Sequence, residues 1–250
     1  MKQSNIKNLL LLLFIIIAAS CNSNKGNNKK EENNNKYTYN IEKKCNDVIK
    51  NNKSVDENLV DEKNSFSRNQ KKHNPKAIEL NNIAMESVKY IISPTNSKDT
   101  LILAKAIEIL DQAIKIDSLY NLAFTNKAVV LKRLNKEKEA LQVLRIITKR
   151  KPNYAEGFSM LGFTYEKLGN IDSANIQYKS AIIAYSYRIK NTDNINDKIN
   201  RAFIMSLIDR EKGLCEINHL IKNLPEDKTI AFYKLQLFDE FDREEFIRNQ

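Results

Sequence analysis

The stretch 158–178 reads FSMLGFTYEKLGNIDSANIQY, and it decides the fold of this chain. Its first half has the three-and-four spacing of an amphipathic helix, with Phe158 and Leu161 on one face. Gly162 lies on the same face, although an interior glycine costs a helix about 1 kcal/mol relative to alanine. We therefore expect a second helix to pack closely against Gly162 through the small residue Ala174.

The same pattern occurs once more, earlier in the chain. The shift that places Phe124 on Phe158 also places Ala140 on Ala174. One step further back, Ala106 falls on Ala140, so that small residues align with small ones at fixed offsets. With no tryptophan, five glycines and four prolines, the composition favours long helices over short strands. The sequence thus predicts an all-α chain with an internal repeat.

The order aromatic, two residues, Leu-Gly, two residues, Tyr, then Ala, three residues, aromatic resembles the tetratricopeptide repeat, a helix–turn–helix unit of about 34 residues, which is also the offset found here. The resemblance implies a solenoid of about four helix pairs and a C-terminal capping helix, over residues 75–250. Its clearest repeats are 121–152 and 155–188. The positions that carry the scaffold are Phe124, Ala128, Leu131, Ala140, Leu144, Pro152, Phe158, Leu161, Gly162, Tyr165, Ala174, Tyr178 and Ala181.

Three residues mark helix ends in these repeats. Asn135 and Gly169 suit the left-handed conformation that ends the first helix of each pair. Pro152 suits the first position of the next helix, where a missing N–H costs little.

The flanks are predicted from looser patterns. A first helix is expected over 75–92, followed by a long loop at 93–100. After the clear repeats we expect a degenerate helix pair over 197–212 and 213–222. A final helix over 227–250 would close the end of the solenoid, because an uncapped end exposes core residues.

The N-terminal residues differ from the rest of the chain in their charge and apolar pattern. Lys2 and Lys7 precede an apolar stretch at 9–19, which as a helix would rise about 16 Å, well short of the ~30 Å core of a bilayer. Such a segment is typical of a signal peptide, here residues 1–20. Small residues followed by Cys21 resemble the lipobox of bacterial lipoproteins, which implies lipidation of Cys21. An ordinary secretory signal is the alternative.

The lipobox resemblance also implies a location. Asn22 after the cysteine favours the outer membrane of the cell envelope, with the choice between periplasm and cell surface left open. Residues 21–74 are rich in Asn and Lys and too poor in apolar residues to offset the entropy of ordering, so they are predicted to be a disordered tether with at most a short helix at 40–50. Cys45 and Cys215 remain, and the sequence leaves open whether they pair.

Chemistry-bearing motifs are sparse. His73 and His219 have no cysteine or carboxylate nearby at a catalytic or metal-ligand spacing, and no phosphate-binding loop, HExxH or GxSxG sequence occurs. The sequence therefore predicts no enzyme, no cofactor and no metal. The net charge of +10 follows from a general bias toward Lys and Asn, so no nucleic-acid partner is predicted.

The tetratricopeptide resemblance implies a concave face that binds a protein or peptide partner. Val129 and Phe163 stand where a clamp for a terminal carboxylate would need asparagine or arginine, so an apolar centre with a basic edge is predicted instead. The alternative is that this face only covers the next helix. The groove residues are Thr125, Val129, Lys132, Arg133, Ser159, Phe163, Glu166 and Lys167.

The predicted function is a lipid-anchored scaffold or adaptor of the cell envelope that binds its partner without catalysis. The alternative is a surface nutrient- or glycan-binding lipoprotein component. That alternative is weakened by the absence of tryptophan, which would supply a stacking surface for sugars.

Overall fold

The computed structural model describes Cys45, Asp47, 72–225 and 228–249, and within these residues it contains helices and no strand. The two isolated residues are both helical and fall in the predicted 40–50 helix, whereas the rest of the predicted tether up to residue 71 lies outside the described residues. In chain order the helices are α1 Pro75–Ser87, α2 Ser97–Ile116, α3 Asn121–Arg133, α4 Glu137–Arg150, α5 Ala155–Lys167, α6 Ile171–Thr192, α7 Ile195–Ile208, α8 Arg210–Asn223, α9 Lys228–Lys234 and α10 Arg243–Asn249, with a π-helical turn at Leu235–Asp239.

The described residues form two compact units, and the division between them falls within α6. We call residues 72–177 the repeat unit, and residues 178–249 with Cys45 and Asp47 the C-terminal unit. In the repeat unit α1 packs against α2, α2 against α3, α3 against α4 and α4 against α5. In the C-terminal unit α7 packs against α8, and α8 packs against α9. The all-α fold predicted from the sequence is confirmed.

The repeat unit has two apolar clusters. One joins α1, α2 and α3 through small and aliphatic side chains such as Ala84, Leu103 and Leu110. The other joins α3, α4 and α5 through Leu131, Leu144 and other residues of the predicted scaffold. A core divided in this way follows from a repeat in which each helix pair buries its apolar face on its neighbours.

The repeat of the sequence is also a repeat of the backbone. The starts of helices α3 and α5 are related by the offset that relates Phe124 to Phe158, and each helix ends at a left-handed residue, Asn135 with φ 55° and Gly169 with φ 78°. In both turns the backbone amide of the following residue donates to a carbonyl inside the helix. The N···O distance is 3.0 Å for the Lys136 amide and 2.9 Å for the Asn170 amide. Both turns are therefore Schellman motifs, as the sequence predicted for these two residues.

Most of the scaffold positions are buried as predicted. Pro152, Phe158 and Tyr165 are half-buried, and the expected contact between Gly162 and Ala174 stays a prediction. The buried positions are Phe124, Ala128, Leu131, Ala140, Leu144, Leu161, Gly162, Ala174, Tyr178 and Ala181.

Two predicted helix limits in the repeat unit were wrong. Helix α1 ends at Ser87 rather than at residue 92, since the chain turns away at Val88. Pro152 lies three residues before α5 and does not start it. It occupies the second position of a turn closed by a 3.0 Å hydrogen bond from the Tyr154 amide to the Lys151 carbonyl, where the fixed φ of proline fits equally well.

The predicted break at residue 213 was also wrong. Helices α7 and α8 meet at Asp209, whose amide donates to the Met205 carbonyl at 2.8 Å and whose side chain accepts from the Lys212 amide at 3.1 Å. Asp209 thus closes one helix and caps the next. Gly213 instead allows a close approach of α8 to α7, because an added Cβ would lie 2.7 Å from the carbonyl oxygen of Ala202 and closer still to Cβ of Ser206.

The single final helix predicted over 227–250 is replaced by two short helices and a π-helical turn. Two guanidinium groups of the C-terminal unit donate hydrogen bonds to backbone carbonyls. Arg210 donates to the Phe238 carbonyl at 2.5 Å, and Arg243 donates to the Leu207 carbonyl at 2.8 Å. Tertiary hydrogen bonds of this kind satisfy carbonyls that a continuous helix would use internally.

Candidate functional site

The eight predicted groove residues lie on α3 and α5, four on each helix. Their side chains differ in exposure. Thr125, Lys132, Ser159 and Phe163 are buried, whereas Val129, Arg133, Glu166 and Lys167 are half-buried. Only the second set offers surface to a partner in this arrangement.

The buried hydroxyls are used within the fold. Thr125 Oγ1 donates to the Asn121 carbonyl at 3.0 Å and lies 2.8 Å from the Tyr154 hydroxyl. Ser159 Oγ donates to the Ala155 carbonyl at 3.0 Å, one repeat further along the chain. Each hydroxyl thus bonds to the carbonyl of the first residue of its own helix. The prediction that these two residues line an open groove is wrong.

Phe163 was predicted to form the apolar centre of the groove. Its side chain is only 1% exposed, so it contributes to the interior. Enclosing a phenylalanine removes a large apolar surface from water, which accounts for its position. The apolar part of the remaining surface is therefore Val129, which also packs against the α3–α4–α5 cluster.

A carboxylate that sequence reasoning missed lies among the residues of the predicted basic edge. Lys167 Nζ at the end of α5 lies 3.0 Å from Glu137 Oε1 at the start of α4, and both side chains are mostly buried. No sequence signal marks Glu137 as the partner of Lys167, because the two residues are far apart in the chain and belong to different repeats. We call Lys132, Glu137 and Lys167 the charged cluster.

Lys132 is the most buried member of the charged cluster. The pKa of its ammonium group is lowered from 10.5 to about 7, chiefly by burial and also by the positive charge of Lys167, while Glu137 acts in the opposite direction. Near neutral pH Lys132 is therefore close to half protonated. Glu137 favours the charged form of Lys132 and forms an ion pair with Lys167.

Arg133 extends the basic edge toward α1. Its Nη1 donates to the carbonyl of Val88 at 2.8 Å, the carbonyl left at the end of α1. Burial lowers the pKa of this guanidinium. The same carbonyl accepts from the Ile91 amide at 3.0 Å, so a local turn and a contact from α3 meet where α1 ends.

The cysteine question left open by the sequence is answered in the C-terminal unit. Cys45 and Cys215 form a disulfide with their Cα atoms 5.1 Å apart. Cys215 lies on α8 and is 2% exposed.

The two histidines have structural contacts. His73 Nδ1 lies 3.0 Å from Asp117 Oδ2, and its ring centroid lies 4.9 Å from that of Tyr120. His219 is half-buried and lies 2.9 Å from the amide nitrogen of Asn223. Among the residues that the structure describes, no group of three or more His, Cys, Asp or Glu side chains is arranged to hold a metal.

No protein-family model matches the chain, and no curated protein matches its sequence significantly. Of the helices in the described ranges, none is both long and apolar enough to cross a membrane.

Proposed function

We propose that the chain is a lipid-anchored scaffold of the cell envelope, built from tetratricopeptide-type helix pairs, that binds a segment of a partner protein and catalyses no reaction. The anchor is the lipidated Cys21, on the outer membrane. The partner surface is the exposed part of the α3–α5 face, formed by Val129, Arg133, Glu166 and Lys167.

The observation that carries this proposal is the recurrence of the same helix–turn–helix geometry at a fixed offset. The first residues of α4 and α6 are separated by the same number of positions as the first residues of α3 and α5. The Schellman turns at Asn135 and Gly169 have this separation too. A period of about 34 residues with small residues at the helix contacts supports the tetratricopeptide assignment. Arrays of this type bind extended or helical segments along the face made by their first helices.

The charged side chains of this face suit a segment that carries polar or charged groups. Arg133 and Lys167 bring two positive charges to the half-buried rim, beside the carboxylates of Glu166 and of Glu137, the ion-pair partner of Lys167. Both cations are held by contacts to other helices, Arg133 to the Val88 carbonyl and Lys167 to Glu137. Side chains already ordered in this way lose less rotamer entropy when a partner binds.

Site-specific photo-cross-linking in intact cells tests the binding face. A benzophenone amino acid replaces Glu166, and a matched variant carries it at Gln142, which is exposed on the neighbouring helix α4. We expect one protein to be captured from position 166 and not from position 142. Equal capture from both positions, or none from position 166, contradicts the assignment of this face.

Intact mass spectrometry of the membrane-extracted protein tests the anchor. The proposal predicts a chain that begins at Cys21 and carries acyl groups, and a Cys21→Ser variant that leaves the membrane fraction. A mature chain that begins elsewhere without lipid would contradict it.

A further inference from the structure

The Cys45–Cys215 disulfide joins the predicted tether to the middle of helix α8. The two cysteines are 170 positions apart, and the closed loop contains every helix from α1 to α7. Cys215 is buried in the C-terminal unit beside Ile217, which is fully buried. The bond therefore fastens residue 45 to a packed helix and not to a chain end.

We propose that this disulfide is a second covalent attachment between the helical part of the chain and its membrane anchor, and that it limits how far the C-terminal unit can stand from the bilayer. The inference rests on the proposed lipidation of Cys21. Reduction of the bond would leave the peptide connection to α1 as the only attachment.

The limit follows from chain length alone. At no more than 3.3–3.6 Å per residue, the segment from Cys21 to Cys45 spans at most about 80 Å. Without the disulfide the anchor connects to the helical part at Pro75, where α1 begins, and the longer segment from Cys21 to Pro75 allows about 180 Å. These bounds hold for any conformation of the segment. The bond shortens the maximum reach about twofold.

The switch between the two states is a thiol–disulfide exchange. One thiolate of a dithiol reductant attacks one cysteine sulfur, the S–S bond breaks, and the other cysteine leaves as a thiolate. The second thiolate of the reductant then breaks the mixed disulfide and releases the first cysteine. Two electrons and two protons pass to Cys45 and Cys215, which become thiols, while the reductant becomes a disulfide. In an oxidising envelope the bonded, short-reach state is the resting state.

A cleavage experiment on the full-length chain tests the second attachment. A thrombin recognition sequence is inserted between Ser67 and Arg68, and the protein is isolated in native membrane vesicles without reductant. After cleavage we expect the helical domain to stay in the vesicle pellet, held through Cys45, and to be released when a phosphine reductant is added. In the Cys45→Ser variant cleavage alone should release it.

The outcomes separate this inference from the proposed function. Release of the wild-type domain by thrombin before reduction overturns the second attachment. Failure of the uncut protein to sediment with vesicles contradicts the lipid anchor, and a non-reducing gel then still shows whether the two thrombin fragments are linked.

Neutron reflectometry of the lipidated protein on a supported bilayer tests the reach. The protein layer should thicken when the disulfide is reduced, and the Cys45→Ser variant should show the thicker layer throughout. Opening of the bond, verified by alkylation mass, with no change in layer thickness overturns the claim that the bond limits the reach.

Discussion

Lys132 gives the sharpest test of the site geometry, through the substitution Lys132→Met. The side chain is 5% exposed, and its pKa is lowered from 10.5 to about 7. The shift corresponds to about 5 kcal/mol of unfavourable free energy for the fully protonated group, at about 1.36 kcal/mol per pKa unit. At pH 7, where about half of the folded molecules carry a proton there, the cost is about 4 kcal/mol. Methionine keeps the apolar stem and removes the charge.

The pH dependence has a definite sign. Because the pKa is lower in the folded state, the unfolded chain binds more protons between pH 7 and 10.5, so the wild-type free energy of unfolding gains a rising contribution across that window. The Lys132→Met variant lacks this contribution. Its advantage over the wild type is largest below pH 7 and vanishes near pH 10.5.

Urea denaturation followed by helical circular dichroism, at one-unit steps from pH 6 to 10, measures the difference between the two chains. Lys138→Met is the matched control, because Lys138 is exposed on α4, and a surface change of this kind stays within about 0.5 kcal/mol. A Lys132→Met variant that is less stable than the wild type at pH 7, or a difference that does not vary with pH, would refute the reasoning.

Three further predictions concern the fold. Gly213→Ala should lower the free energy of unfolding by roughly 2 kcal/mol or more, because its Cβ would lie 2.7 Å from the Ala202 carbonyl oxygen and overpacking costs about 1–3 kcal/mol; urea denaturation beside the wild type measures this, and equal stabilities would count against the close approach. Asn135→Gly should raise the free energy of unfolding by about 0.5 kcal/mol, and with it the melting temperature slightly, since the φ of 55° at this position suits glycine; a clear drop in melting temperature would contradict this. Cys45→Ser should remove up to about 5 kcal/mol of loop-closure stabilisation, and thermal unfolding with reductant should bring the wild type to the same value; a reductant-insensitive wild type would argue against the bond.

The central repeat could be predicted because its signals are local. Each helix pair repeats its small and large residues at fixed offsets, and Asn135 and Gly169 are the residue types that a left-handed helix end selects. The sequence alone therefore placed the two Schellman turns and most of the buried scaffold.

The errors lie where long-range contacts decide the outcome. Helix α1 ends at Ser87, and the carbonyl of the next residue, Val88, bonds to Arg133, 45 positions away. The break between α7 and α8 falls at Asp209, which closes the first helix and caps the second. Gly213, which was predicted to mark the break, instead allows the two helices to pack closely. Phe163 is buried although the helical pattern placed it on the predicted groove face. Periodicity tells which residues share a helix face, but not which of two faces stays open.

The most direct test of the account is a calorimetric titration of the purified chain with the protein captured from position 166. We expect Lys167→Gln to weaken the affinity about tenfold, in the range of a contributing interface residue, because the variant removes an ordered cation from this face. Gln142→Glu on α4 should leave the affinity unchanged. Equal affinities for wild type and Lys167→Gln, or a loss confined to Gln142→Glu, would contradict a partner bound on the α3–α5 face.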